Sequence, residues 1–452
     1  MSSECLITGG TVVFPHTGTQ PADIVIRNGR IAAVCEPGGV GRAGAVVDAS
    51  NLHVFPGIID AHIHFGYAEP PNEYTTETVH AAKGGVSTVI AYLLHNESYK
   101  DIFAARKAEC EARAHIDFGF HFCASSEIHL KELDFYAGEY GVTSLKYFMQ
   151  YKGEEGRYVG LDGTDDGFMY SLVHRAAQVD GLLLVMHPEN IEVVQRVRGD
   201  FQLEGRNTLR DYCLSKPDFI ESENMVRAMY FAEDANVPIY FPHVSCRRGL
   251  EDAQFYRQRY DRVVLETCPH YLTHTLDSEV GSIGKCNPPL RTQSDVDAMW
   301  QGLSDGSIAV FASDHVPRKR ATKEKGIWQA SQGFPSSGLI LPILLSEGYH
   351  KGRLSLQRVA QLLCLTPAKV FGLSRRKGNI FVGADADFTL VDLEKTTEIR
   401  AANLGSYSDY SLYEGWQMKG WPVMTMVRGE VVMRNGEIVG YPGFGRYLHR
   451  PL

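Results

Sequence analysis

The chain of 452 residues has no long apolar run, and no segment approaches the roughly 18–20 consecutive apolar residues that a membrane-spanning helix needs. It also has no run rich in lysine and arginine, and its formal net charge is −9. Binding to nucleic acid usually requires a basic patch. We therefore expect neither a membrane nor a nucleic acid among the partners of this protein.

Paired cysteine spacings are also absent, because the nine cysteines are scattered along the chain. The first residues do not have the pattern of a secretory signal peptide. Disulfides are rare in reducing compartments, where cysteines stay as thiols. The sequence therefore predicts reduced thiols and a cytoplasmic protein.

The composition is that of an ordinary globular protein, with 44% apolar and 22% charged residues. A chain of this length exceeds what one compact core usually holds. Two domains, or one large barrel with an appendage, are the expected organisation.

Both ends of the chain have a pattern of short predicted β-strands that the middle lacks. Near the start, runs such as "ADIVIRNGRIAAV" are separated by glycine and Asn-Gly turns. The same pattern occurs near the end in "GADADFTLVDL" and "VMTMVRGEVVMRNGEIVGYP". We predict one small β-sandwich domain built from residues 1–52 and 378–440. The remaining residues, 441–452, are predicted to form a C-terminal tail at an oligomer interface.

The middle, residues 53–377, alternates apolar runs of strand length with amphipathic helical segments. Apolar residues follow one another in these runs and do not alternate with polar residues, as strands buried on both faces require. Eight strand–helix units predict an α/β fold, a (β/α)8 TIM barrel. The eight runs are "VFPGIIDAHIHF", "STVIAYLL", "FGFHFCAS", "TSLKYFM", "LLLVMHP", "VPIYFPHVS", "VVLETCP" and "IAVFASD".

Five of these runs end on metal-ligand or ionisable side chains, and the carboxyl ends of the strands are where such barrels carry their chemistry. Residues i and i+2 of a strand point to the same side, so a His-x-His pair presents two imidazoles together. Six metal-ligand or ionisable side chains at one end of a barrel predict a metal site. They are His62, His64, Lys146, His187, His243 and Asp314.

Lys146 needs a separate explanation, because an ammonium group would repel bound metal ions. It could extend its charge towards solvent, or it could form a Schiff base. A third possibility is carbamylation by CO2, which turns the amine into a carboxylate-like ligand able to bridge two metals.

The ligand pattern resembles that of the amidohydrolase superfamily, and "ETCPHYLT", "NPPLRT" and "SDH" extend the resemblance over nearly the whole chain. Within its cyclic-amide branch, "YEGWQMKGWPV" and "GFGRYLHRP" look most like hydantoinases and dihydropyrimidinases. The resemblance implies a metal-dependent hydrolase that opens a cyclic amide or imide ring.

The resemblance also implies a site with two divalent ions, usually zinc, and a carbamate on Lys146. One metal would take His62, His64, Lys146 and Asp314, and the other would take Lys146, His187 and His243. A hydroxide bridging the two metals would attack the ring. Asp314 would serve as general base and then general acid, and Tyr151 would stabilise the oxyanion.

The substrate prediction depends on departures from related patterns. Dihydroorotases carry an arginine just after the His-x-His pair, where this chain has Phe65, so dihydroorotate is disfavoured. Gln332 stands where hydantoinases usually have an asparagine, and Asn287 lies in the shared "NPPLR" motif. Phe65 and Leu94 suit an apolar or flat ring substituent.

We therefore expect Tyr151, Asn287, Gln332, Phe65 and Leu94 to bind a hydantoin, a dihydropyrimidine or a related ring. Allantoinase is the alternative function, and a non-catalytic scaffold is disfavoured because all six ligand positions are filled. The likeness of the tail to hydantoinases predicts a homotetramer or homodimer.

Overall fold

The computed structural model describes residues 4–39, 44–69 and 71–450. It divides into two compact units by the density of contacts. The first comprises Met1–Ile90, Ala108–Gly119 and Pro335–Leu448, and the second comprises Ala91–Lys107, Phe120–Phe334 and His449–Leu452.

The strands are numbered here in chain order. They are β1 (Glu4–Thr8), β2 (Thr11–Phe14), β3 (Gly18–Pro21), β4 (Asp23–Arg27), β5 (Arg30–Cys35), β6 (Ala45–Asp48), β7 (His53–Pro56), β8 (Ile58–Ile63), β9 (Val86–Leu93), β10 (Asp117–Cys123), β11 (Ser144–Phe148), β12 (Leu183–His187), β13 (Ile239–Phe241), β14 (Val263–Thr267), β15 (Val310–Phe311), β16 (Phe388–Glu398), β17 (Gln417–Val427), β18 (Glu430–Arg434) and β19 (Glu437–Ile438).

The predicted β-sandwich from both termini is confirmed in the first unit. One sheet has the order β5-β4-β1-β6, and the other has the order β19-β18-β17-β16-β7-β2-β3. Buried side chains of both sheets share one core, in which Ile7 and Ile24 meet Val54, Phe388 and Leu390. The predicted domain boundaries at residues 52 and 378 stay a prediction, although the strands of these sheets lie within residues 4–56 and 388–438.

The predicted TIM barrel is also confirmed. Its eight strands follow one another in chain order from β8 to β15 within one sheet. The ladders of β11, β12 and β13 with their neighbours are parallel. Each of the eight predicted runs contributes one strand of this sheet.

The first predicted run, however, is divided between two sheets. Residues 53–56 form β7, which pairs with β16 of the sandwich, and the barrel strand β8 begins only at Ile58. Gly57 separates the two strands, and a Cβ atom at this position would lie 2.3 Å from the Oγ of Ser87 and 2.5 Å from the Cβ of Asp387. Only glycine fits where the chain passes from one sheet to the other.

Among the described residues, twelve α-helices lie between consecutive barrel strands and cover the predicted amphipathic segments, and five more follow the last barrel strand. They are α1 (Asn72–Lys83), α2 (Phe103–Glu111), α3 (Glu127–Lys131), α4 (Leu133–Gly138), α5 (Gly153–Val159), α6 (Asp166–Ala176), α7 (Ile191–Leu203), α8 (Leu209–Leu214), α9 (Phe219–Ala235), α10 (Arg247–Tyr256), α11 (His270–Thr273), α12 (Gln293–Asp305), α13 (Arg320–Lys323), α14 (Ile340–Ile343), α15 (Leu356–Ala360), α16 (Thr366–Val370) and α17 (Ala401–Leu404). None of the helices among the described residues has the length and apolar character needed to cross a bilayer.

The C-terminal tail packs against its own chain up to residue 450. In the first unit, the Leu448 amide donates to the Phe118 carbonyl over 2.7 Å, and the Leu448 side chain is buried. In the second unit, Arg450 is fully buried and its Nη1 donates to the Ser144 Oγ over 2.8 Å. Residues 451–452 of the predicted tail lie outside the described residues, and its predicted place at an oligomer interface stays a prediction.

Candidate metal centre

The His-x-His pair lies at the carboxyl end of β8, as the sequence predicts. The ring centroids of His62 and His64 are 5.4 Å apart, and His62 is fully buried. The loop that follows is held by the buried carboxylate of Glu73 in α1. This carboxylate accepts hydrogen bonds from the backbone amides of the four consecutive residues Gly66, Tyr67, Ala68 and Glu69.

Lys146 lies in the middle of β11 and is 1% exposed. Its Nζ lies 4.7 Å from the ring centroid of Tyr92 and 5.2 Å from that of Phe148. Burial lowers the pKa of Lys146 to about 8, although the neighbouring carboxylates of Asp314 and Glu266 act in the opposite direction. A larger share of this amine is therefore unprotonated at neutral pH than in an exposed lysine.

His187 ends β12 and is held by a buried carboxylate. Its Nε2 lies 2.7 Å from Oε2 of Glu189, whose Oε1 accepts a hydrogen bond from Lys216 over 2.9 Å. Burial lowers the pKa of His187, which favours the neutral imidazole that binds metals. Because Nε2 contacts Glu189, Nδ1 is the nitrogen that can serve as a metal ligand.

His243 follows β13, and its ring centroid lies 4.5 Å from that of His187. The backbone amide of His243 donates to Oε1 of Glu266 over 3.0 Å, and the hydroxyl of Tyr240 donates to the other oxygen of the same carboxylate. Glu266 is fully buried in β14. This carboxylate thus fixes the backbone from which the His243 side chain projects.

His243 and Asp314 both have left-handed backbones, with φ of 44° and 49°. Non-glycine residues adopt this conformation at a cost in free energy, and such residues cluster at functional sites. Asp314 comes three residues after the last residue of β15. The predicted roles of His243 and Asp314 as metal ligands stay a prediction.

The donor atoms that five of the six predicted ligands offer suit a cation. Asp314 offers a carboxylate, and the others offer imidazoles, those of His62, His64, His187 and His243. Imidazole nitrogen and carboxylate oxygen together suit zinc and similar divalent ions. The chemistry of these donors therefore fits the predicted type of cofactor.

The predicted catalytic residue Tyr151 packs in a small apolar cluster together with Leu94. The buried members of this cluster are Cys123, Phe148 and Leu161. The Tyr151 ring centroid lies 6.1 Å from that of His187. Burial raises the pKa of Tyr151 well above its ordinary value, so its hydroxyl keeps its proton at neutral pH.

Asn287 and Gln332, both predicted to contact substrate, are joined by a hydrogen bond between their side-chain amides. The Tyr212 hydroxyl donates to the Oδ1 of Asn287, which leaves the amide nitrogen to donate to Gln332. The Nε2 of Gln332 lies 3.5 Å from the carboxylate of Glu155. The two predicted residues therefore belong to one polar network.

Phe65 lies directly after His64 and is only 4% exposed. Its ring meets that of Tyr74 edge to face, with 5.2 Å between the centroids. Its predicted contact with substrate stays a prediction. The packing shows that this ring also anchors the segment after the His-x-His pair against α1.

Sequence reasoning missed the carboxylates that support the candidate ligands. Glu73, Glu189 and Glu266 are all fully buried, and each accepts hydrogen bonds from the segments that carry these ligands. Glu266 could have been found from its place inside the apolar run "VVLET". Glu189 lies two residues after His187, a spacing that carries no distinctive signal by itself.

Comparison with known proteins agrees with this geometry. A family model described as the amidohydrolase family matches residues 53–432. The chain belongs to the amidohydrolase family. The predicted family, fold and enzyme class, a cyclic amidohydrolase, are thereby confirmed.

Relatives of this amidohydrolase carry several names. A D-hydantoinase of Ralstonia pickettii is 32% identical over 99% of both chains, and an allantoinase of Deinococcus radiodurans is 34% identical over 99% of both. The crystal structure of a dihydropyrimidinase from Brevibacillus agri is 31% identical, covers 99% of both chains and superposes with a TM-score of 0.92.

Proposed function

We propose that this amidohydrolase opens the ring of a cyclic amide or imide of the hydantoin or dihydropyrimidine type, with two divalent metal ions. The observation that carries the proposal is the pair of buried imidazoles of His187 and His243, whose ring centroids lie 4.5 Å apart. Relatives named hydantoinase and dihydropyrimidinase support the substrate class.

One metal, which we expect to be zinc, would be held by His62, His64 and Asp314 together with Lys146. The second would be held by Lys146, His187 and His243. Lys146 can serve both metals once its neutral amine adds to CO2, forming an N–C bond and releasing a proton. When bound, such a metal pair lowers the pKa of a water molecule towards neutrality.

The chain's own residues supply the proton transfers. Asp314 would accept the proton of the attacking water and deliver it to the leaving ring nitrogen. The Tyr151 hydroxyl would donate a hydrogen bond to the oxyanion that develops on the ring carbonyl. This role suits a tyrosine whose raised pKa keeps it protonated.

The backbone at Gln332, together with Asn287, would bind the ring amide, and Phe65 and Leu94 would contact its substituent. A ring amide presents one donor and one acceptor, and the backbone offers complementary N–H and C=O groups. Allantoin hydrolysis is the second candidate, because an allantoinase of 34% identity covers the same length.

A cytoplasmic location and assembly into a homotetramer or homodimer complete the proposal. All nine cysteines are free thiols, which supports a reducing compartment.

Hydrolysis rates for hydantoin, dihydrouracil, allantoin, dihydroorotate and simple cyclic imides test the substrate class. We expect the highest kcat/KM with hydantoins or dihydrouracil. A clear preference for allantoin would favour the second candidate, and a lack of activity on every ring, with metal bound, would contradict the proposal.

A further inference from the structure

Lys323, in the short helix α13, is fully buried beside the loop that carries Gln332. Its Nζ donates to three backbone carbonyl oxygens, those of Lys285 over 3.0 Å, Ser331 over 2.9 Å and Gly333 over 2.8 Å. A lysine ammonium has three N–H donors, so these three bonds use all of them.

The three carbonyls belong to the two segments that carry Asn287 and Gln332. Ser331 and Gly333 flank Gln332 on both sides, and Lys285 precedes Asn287 by two residues. The carbonyl oxygen of Lys285 also accepts a hydrogen bond from the Gly333 amide over 3.0 Å. Lys323 therefore joins the two segments at the level of the backbone, beside the hydrogen bond between their side chains.

We propose that Lys323 is a positioning residue that sets the spacing between Asn287 and Gln332 and thereby controls how tightly the ring amide is bound. The inference rests on the proposed function, in which these two residues contact the substrate. Lys323 itself acts only through the backbone.

Another residue type would not replace the lysine at this position. A methionine keeps a similar length and leaves three buried carbonyl oxygens without their donor, which is costly. An arginine keeps the charge, but its planar fork cannot direct three donors from one atom. Both changes should let the two segments separate.

The test is the kinetics of Lys323→Met on hydantoin and dihydrouracil. Misplacement of a positioning group by about 1 Å can cost up to about 100-fold, so we expect kcat/KM to fall by about 10–100-fold. Most of the loss should be in KM, with bound metal unchanged. If Lys323→Met does not fold, Lys323→Arg is measured in its place.

Arg257→Met is the matched control, because it also removes a cation that bonds backbone carbonyls. Arg257 donates to the carbonyls of Val263, at the amino end of β14, and Ser307. This variant should lose stability without a change in KM. An equal rise of KM in both variants would show a general effect of destabilisation and would overturn the inference.

A double-mutant cycle with Gln332→Ala separates positioning from stability. If Lys323 acts through the spacing of Asn287 and Gln332, adding Lys323→Met to Gln332→Ala should change KM much less than it does in the wild type. Full additivity of the two effects on kcat/KM would contradict the inference.

Hydrogen exchange supplies a measurement that does not depend on catalysis. Amides of residues 285–287 and 331–334 should exchange faster in Lys323→Met and remain protected in Arg257→Met. If these amides exchange faster in Lys323→Met but the wild type hydrolyses no ring, the proposed function is refuted and the role of Lys323 is not. If the wild type is active and Gln332→Ala changes its kinetics, but Lys323→Met changes neither amide exchange nor KM, the role of Lys323 is refuted and the proposed function is not.

Discussion

The Nε2 atom of His187 and the Oε2 atom of Glu189 lie 2.7 Å apart in a fully buried contact that Lys216 completes from the other side of the carboxylate. Burial alone would raise the pKa of Glu189, but Lys216 and His187 outweigh this effect and lower it to about 2. The carboxylate thus stays charged, and it fixes the orientation of the imidazole.

Replacement of this carboxylate should weaken the metal site. Supporting partners of metal-bound histidines typically contribute 10–100-fold in metal affinity or activity. We expect Glu189→Gln to lose metal at a chelator concentration that leaves the wild type loaded, as measured by elemental analysis. Glu192→Gln, which changes an exposed carboxylate paired with Lys152, is the control. Equal metal retention in both variants would contradict the supporting role.

Lys146→Ala should abolish hydrolysis, because it removes the atom that carries the proposed carbamate. Short carboxylic acids added together with metal should restore part of the activity by filling the bridging position. A 13C signal from labelled CO2 should be present in the wild type and in Lys351→Ala, an exposed-lysine control. An active, metal-loaded enzyme with an unmodified Lys146 would refute the bridge.

Leu94→Ala should change the preference among rings. Apolar contacts in a pocket contribute about 1–3 kcal/mol to discrimination. We expect the ratio of kcat/KM between substituted and unsubstituted hydantoins to shift by that amount, with metal content unchanged. Phe65→Ala should act similarly and should also lower stability, since Phe65 packs on Tyr74.

Asp314→Asn is the control for these two variants, and it should abolish turnover of every ring alike. If Leu94→Ala and Phe65→Ala lowered kcat/KM for all substrates by one common factor, other residues would have to contact the ring substituent.

His274 should make stability fall in acid. Burial lowers the pKa of His274 to about 4 from 6.5, so between these values the unfolded chain binds a proton that the folded chain does not. The contribution of His274 to the free energy of unfolding is fully present above pH 6.5. It is lost as the pH falls towards 4, and the loss is at most about 3 kcal/mol. Urea unfolding of His274→Gln should show a smaller loss between pH 7 and 5 than the wild type. The exposed His16→Gln serves as control, and equal losses in all three proteins would rule out this contribution.

Light scattering of the intact protein tests the predicted homotetramer or homodimer. The tail should not be deleted for this purpose, because Leu448 and Arg450 are buried against their own chain and their loss would destabilise the fold. A mass equal to that of one chain across a wide range of concentrations would contradict the prediction.

The sequence predicted the parts of this molecule that depend on local pattern. Continuous apolar runs marked all eight barrel strands, and the side chains at or near the ends of five of them identified the candidate ligands. The transition at Gly57 was not predictable, because the run is unbroken in hydrophobicity and the division depends on the distant partners Ser87 and Asp387. The same holds for Glu73, since its role depends on how α1 packs below the loop after His64.

The network around Lys323 was hidden for a similar reason. Lys323 lies between two other polar residues in "RATKEKG", so this segment looks exposed to solvent in the sequence. Only the fold brings Lys323 into contact with the two segments that carry Asn287 and Gln332. Gln332 was found because a related motif pointed to it. The residues around Gln332 were not found, because any residue type can supply a backbone carbonyl as a hydrogen-bond acceptor.

The bond between Arg450 and Ser144 has a consequence for the speed of folding. These residues are 306 positions apart, and Arg450 also donates to the Phe120 carbonyl. Contacts of such separation slow folding, since long loops must close before the contact can form. Strands β10 and β11 lack this partner until the segment that carries Arg450 packs against them. The second unit therefore reaches its final packing late in folding.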